Sequence, residues 1–278
     1  MSAPQAADAG NGDSRPVLTL WNSVCSEWTK VRSLRSTAYL LAATVGVSLV
    51  LTTAYSFVAA SEFHAPSGDS SGPLDPSDPT GMALFSVLLA QLAIMAFGVL
   101  VMTGEYATHT IQPSLTAQPR RGQLFAAKAI VTVTVSLITG AVSGLGAFTA
   151  GQVVLASQGV PTANLSQPHV LRAVLGVGIY FALIGLLALA VGAITRATSG
   201  GLAIMIIGGL MLPNLAALLP APWDANVQRY WPTVAGLQIT NVESDPGMLQ
   251  PWNGAGLLAA FAGLAVAVAI TELLRRDA

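Results

Sequence analysis

The chain has 278 residues, 53% of them hydrophobic and 9% charged, with a formal net charge of −1 and a mean hydropathy of +0.64. Soluble domains carry about one quarter charged residues, so this composition excludes a water-soluble globule and points to a membrane protein with no nucleic-acid partner. A single cysteine, Cys25, excludes an internal disulfide and lacks the neighbours of a metal cluster.

Taken in chain order, residues 1–16 are small, polar and rich in Pro and Gly, the composition of a disordered tail. The remainder, 17–278, reads as a single membrane domain. Residues 17–36 show helical periodicity, with Leu18, Trp21, Val24, Cys25, Trp28 and Val31 on one face and Asn22, Ser23, Ser26 and Lys30 on the other. Arg32 and Arg35 fall on the apolar side, which suits a helix lying in the membrane interface. There the arginines snorkel to phosphates and the two Trp rest at headgroup depth.

A hydrocarbon core of about 30 Å takes about 20 apolar helical residues. Six runs qualify: 38–60, 82–103, 127–150, 171–194, 201–219 and 254–272. None contains Asp, Glu or Lys except at its ends, where Lys128 opens the third, and Arg172 stands at the start of the fourth. The first run follows about 37 residues and precedes five more spans, so it reads as a span and not as a cleaved signal peptide. The acidic loop 61–81 has no predicted regular structure, and 195–200 is barely long enough for a helical hairpin. In the loop 220–253, Trp223, Tyr230, Trp231 and Trp252 predict segments lying on, or dipping into, the outer membrane surface. Pro213-Asn214 predicts a kink or break in the fifth span. Small residues four apart (Gly140/Gly144, Ala188/Gly192, Gly256/Ala260, Ala259/Gly263) predict tight helix packing but no specific interface.

Topology follows from charge. With the N-terminus inside, the inner segments hold ten cations, Arg15, Lys30, Arg32, Arg35, Arg120, Arg121, Lys128, Arg196, Arg275 and Arg276, and the outer ones hold two, Arg172 and Arg229. That asymmetry places both termini in the cytoplasm. The segment Gly104–Leu124 (GEYATHTIQPSLTAQPRRGQL) then forms a polar cytoplasmic hairpin between spans two and three. Tyr106–Leu115 is predicted as a short helix interrupted by Pro113.

Missing motifs narrow the function. Neither lysine, Lys30 or Lys128, belongs to a phosphate-cradling P-loop, so ATP hydrolysis is not expected of this chain. His64, His109 and His169 all lie in loops, away from the spans where an intramembrane protease would need a serine–histidine pair or metal ligands. The deepest polar side chains are uncharged (Thr44, Ser48, Thr52, Gln91, Thr134, Ser136, Thr139, Ser143 and Asn214), which argues against a proton-driven antiporter.

Residues 103–130 (TGEYATHTIQPSLTAQPRRGQLFAAKAI) resemble the loop between spans two and three of ABC-2 type permeases, the membrane subunits of bacterial ABC exporters. The matching features are Gly104-Glu105-Tyr106, Thr110-Ile111, Leu115, Pro119-Arg120-Arg121 and Lys128. The approach to span one (SEWTKVRSLRST, Ser26–Thr37) is similar to the helix that precedes the family's first span, through Glu27, Lys30, Arg32, Arg35, Ser36 and Thr37. Arg229-Tyr230-Trp231-Pro232 with Ala235-Gly236 resembles its last outer segment. His109 stands where the family commonly has Gly, and Gln112 where a basic residue is usual.

The resemblance implies an all-α, six-helix permease domain in the bacterial inner membrane, with an N-terminal interfacial helix. It implies pairing with a second permease subunit, as homo- or heterodimer, and energy from two copies of a cytoplasmic P-loop ATPase. ATP and Mg would be bound by that partner; this chain would be no enzyme and would carry no cofactor, catalytic residue or metal ligand. The coupling residues would be Glu105, Tyr106, His109, Ile111, Leu115, Arg120 and Arg121, with Glu105 pairing to a basic residue of the helix before span one. Trp21, Trp28, Lys30, Arg32 and Arg35 would hold that helix against membrane lipids. Spans two and five would line the substrate cavity through Phe85, Leu89, Gln91, Met95, Met205, Met211 and Asn214. The cargo would be a hydrophobic or amphipathic compound, antibiotic-like or lipid-like, exported by alternating access. A non-transporting membrane scaffold or sensor subunit is the alternative, and an intramembrane enzyme ranks third.

Overall fold

The computed structural model describes residues 20–63, 78–107, 121–216, 218–220, 223–243 and 245–275. These are helical, with no strand among the described residues. The helices are α1 (Leu20–Ser33), α2 (Arg35–Phe63), α3 (Pro79–Leu84), α4 (Val87–Ala107), α5 (Arg121–Ser157) and α6 (Val170–Thr195). There follow α7 (Thr198–Ile206), a π-helical segment (Ile207–Met211), α8 (Leu212–Ala216), α9 (Trp223–Tyr230), α10 (Pro232–Leu237), a 3₁₀ turn (Gln238–Thr240) and α11 (Pro251–Arg275). The predicted tail, 1–16, lies outside the described residues, as does most of the acidic loop after span one.

Six helical segments are long and apolar enough to cross a membrane: Arg35–Ser61, Pro79–Gly104, Gly122–Ser157, Val170–Thr195, Thr198–Ala216 and Pro251–Arg275. They coincide with the six predicted runs, each reaching a few residues further at one end or both. Long apolar runs become helices because hydrocarbon offers backbone amides no partner, and a helix pairs them internally. At about 1.5 Å per residue the 37-residue α5 spans about 55 Å, well beyond the hydrocarbon thickness. Lys128 therefore sits two turns inside a helix that starts at Arg121, and does not open it as expected.

The central helix is α6, packed against α4, α5, α7 and α11. Of its most apolar stretch 67% is buried, against 22% for α2 and 17% for α11, which leave broad apolar faces for lipid or another chain. Two crossings at α6 are backbone-close. A Cβ on Gly140 would lie 2.8 Å from Gly178 Cα, and one on Gly98 would lie 2.5 Å from the Gly185 carbonyl oxygen. Of the predicted small-residue pairs, Gly140/Gly144 and Ala188/Gly192 belong to such crossings, whereas Gly256 and Gly263 face open space on α11.

Span five runs unbroken through Pro213 but widens to a π-helical segment just before it, and the carbonyls this frees are satisfied from outside the helix. Leu212 N–H reaches back to Ile207 O, so Gly208 O loses its ordinary donor. Pro213 has no N–H to offer Gly209 O. Trp231 Nε1 donates to Gly208 O at 2.7 Å, and Thr233 Oγ1 donates to Gly209 O at 2.9 Å. Trp231, half-buried, thus turns its indole N–H toward span five. Trp223, Tyr230 and Trp252 do remain exposed. Arg172 donates to the carbonyls of Asn241 and Val242, fastening the same outer segment to the start of α6.

Candidate functional site

The site forms where α1 meets α5. The α1 sequence has one acid, Glu27, three residues before Lys30, a spacing that places both on one side of the helix. That side is the one packed inward: Ser23 and Glu27 are its buried residues, with Val24 and Val31 packed on the apolar cluster of Phe97, Val131 and Val135. Trp21, Cys25 and Trp28 are exposed, and the stripe they were expected to form with Val24 and Val31 is split. Arg32 and Arg35 are exposed as well.

Glu27 accepts on both carboxylate oxygens. Lys30 Nζ donates to Oε1 at 2.6 Å, and Lys128 Nζ donates to Oε2 at 2.7 Å across 101 residues of sequence. The Glu27 and Lys128 side chains are 4% and 2% exposed, whereas Lys30 is 41% exposed. One carboxylate therefore ties the helix preceding span one to span three through a pair removed from water. Removing a single partner from such a pair is expensive, about 3–5 kcal/mol, because the other charge stays buried.

Beside this bridge lies a cavity of ≈510 Å³ between α1, α2, α4 and α5. Its apolar wall is Leu40, Phe97, Leu100 and Val101, and its charged end is Glu27, Lys30 and Lys128. Gly104 forms part of the rim; a Cβ there would meet nothing within 4 Å. Three residues further, at Ala107, the described part of α4 ends, and α5 begins at Arg121. The segment 108–120, outside the described residues, joins those two points. A chamber with apolar walls and a charged end suits an amphipathic guest or a packing partner with one polar end. Among the described residues no three His, Cys, Asp or Glu converge to hold a metal.

The expected coupling residues His109, Ile111, Leu115 and Arg120 lie outside the described residues, as do the side chains of Glu105, Tyr106 and Arg121. Tyr106 belongs to the last turn of α4, in place of the start of a separate short helix. The carboxylate that the described residues bring to this corner is Glu27, held by span three and by its own helix.

The expected cavity-lining set divides. Gln91, Met95 and Met205 are buried inside the single chain. Gln91 Oε1 accepts from Tyr180 Oη at 2.6 Å while its Nε2 donates to Leu88 O, so its amide is spent on helix packing. Phe85, Leu89, Met211 and Asn214 lie on the outside, with Phe85 stacked on Tyr55 at 4.5 Å and Asn214 Nδ2 bonded to Leu210 O. Three of the seven are thus buried within the chain and four lie on its outside.

Sequence reasoning assigned Lys128 to topology and missed its partner. The available signals were that Lys128 is one of two lysines and that Glu27 is the sole acid among residues 17–36. Comparison with protein-family models, with curated proteins and with solved structures gives no match.

Proposed function

We propose that this chain is the membrane-spanning permease subunit of an ATP-driven exporter of the ABC-2 type, seated in the bacterial inner membrane with both termini in the cytoplasm. Two such subunits enclose a pathway for a hydrophobic or amphipathic compound. Two separate P-loop ATPase subunits, carrying ATP and Mg, grip the coupling hairpin 104–121 and the helix 17–36 and drive alternating access.

One observation carries the reading. Glu27 and Lys128 come from two stretches that resemble the permease family separately, the helix before span one and the turn into span three, and they meet at 2.7 Å in a buried pair. A push on the hairpin would move α5 at its first turn, and the bridge would pass that displacement to α1 and so to span one. A linkage of this kind needs a stiff, water-excluded contact, which the burial of both side chains supplies. Six membrane-length helices and the inward bias of positive charge support the same reading.

The test is co-purification with an ATPase, followed by export from inverted vesicles. Leu115→Asp and Arg121→Glu should leave assembly intact and uncouple ATP hydrolysis from transport, lowering export at least tenfold. Export and cargo-stimulated ATPase activity at native levels in both variants would sink the coupling role.

A further inference from the structure

A second groove adjoins the ion-bridge cavity, with Val31 and Thr37 in the wall between them. It measures ≈310 Å³, at the lower end of the range for ligand sites, and is bounded by α1, α2 and α5. Its floor is Leu41, Val135 and Ile138, and its rim carries Trp28 and Arg32 with no carboxylate. Arg32 is exposed and makes no ion pair among the described residues. Thr37 and Thr139, 6% and 8% exposed, also line the groove, and their hydroxyls have no hydrogen-bond partner among the described residues. Hydroxyls that no protein acceptor engages, set along an apolar groove, favour a guest that brings its own acceptors.

We infer that this groove binds one anionic glycerophospholipid from the leaflet on the N-terminal side of the membrane. The arrangement matches the lipid's three chemical zones. The phosphodiester pairs with Arg32, whose planar guanidinium suits phosphate oxygens. Ester oxygens accept from the threonine hydroxyls, and the first part of an acyl chain lies along Leu41, Val135 and Ile138. Trp28, 41% exposed, sits at the mouth with an apolar ring and a polar N–H, the pairing favoured at headgroup depth. Arg35, three residues on and exposed, adds a second cation at the same α1–α2 junction. The site needs only that the chain spans a membrane and does not depend on what the chain transports.

The experiment is native mass spectrometry of the full chain, released from micelles doped with equal phosphatidylglycerol and phosphatidylcholine. The expected result is one phosphatidylglycerol retained per chain in preference to phosphatidylcholine. Arg32→Gln should lower that retention about fivefold, the effect of one interfacial arginine. Ala38→Phe, which fills the groove from an exposed lining position and leaves Arg32 in place, should lower it at least as much. Arg275→Gln, at the far end of the chain, should leave retention unchanged, and added inorganic phosphate should not compete. Equal retention of the two lipids, retention unaffected by Arg32→Gln or Ala38→Phe, competition by free phosphate, or loss of a dimer on Ala38→Phe would each overturn the assignment.

Discussion

Breaking the Glu27–Lys128 bridge tests whether it is an energetic link or an incidental contact. Lys128→Met leaves Glu27, 4% exposed, with Lys30, whose side chain is 41% exposed and partly screened by water. The cost should therefore lie near the lower edge for a broken buried pair, about 3 kcal/mol. Glu27→Leu strips the buried Lys128 of that carboxylate and should cost about as much. If the effects were independent, the double variant would lose about 6 kcal/mol. The bridge predicts otherwise. Replacing both charges by apolar groups removes both desolvation penalties, so the double variant should fall within about 1 kcal/mol of the native chain. At about 2–4 °C per kcal/mol, each single variant should unfold roughly 6–12 °C lower and the double variant no more than about 4 °C lower. Thermal unfolding in micelles, followed by circular dichroism, reads these shifts. A double variant as destabilised as the two singles combined would refute the coupling and, with it, the route from hairpin to span one.

The fastening of span five and the small-residue crossings make two further predictions. Trp231→Phe and Thr233→Val each leave a π-segment carbonyl without its donor, at a cost of about 1–3 kcal/mol. Hydrogen exchange should accelerate across residues 204–216 while the centre of α6 is unchanged; unaltered exchange in both variants would mean that the fastening is dispensable. Gly140→Val forces a side chain against the backbone of Gly178 and Val177 and should cost at least about 1–3 kcal/mol. Gly263→Ala meets nothing within 4 Å and should be neutral or slightly stabilising. Equal unfolding midpoints for these two variants would contradict the close α5–α6 crossing.

Much of the fold was legible because hydrophobic length is a property of the chain itself. Each of the six runs is long enough to cross the hydrocarbon core as helix and too apolar to be stable elsewhere, whatever its neighbours. Pro213 was informative too, since its missing N–H disturbs helical pairing by local chemistry alone, and the π-helical segment lies just before it. The candidate site was less legible. The apolar stripe through Trp21 and Trp28 said nothing of the side that α1 turns inward, which bears Ser23 and Glu27. Periodicity reports where apolar surface lies, but it carries no information about a cation waiting on another helix 101 residues away.

The membrane class, the number of spans, their approximate limits and the disturbed helical pairing before Pro213 were determined by local composition, each settled by water, lipid and backbone hydrogen bonding without reference to the rest of the molecule. Tertiary structure alone decided that Glu27 meets Lys128, that Gln91 serves Tyr180 within the packed interior, and that Trp231 and Thr233 supply the donors span five lost. Those contacts join helices far apart in sequence, and their energy comes from desolvated partners that only the packing of one helix on another brings within reach.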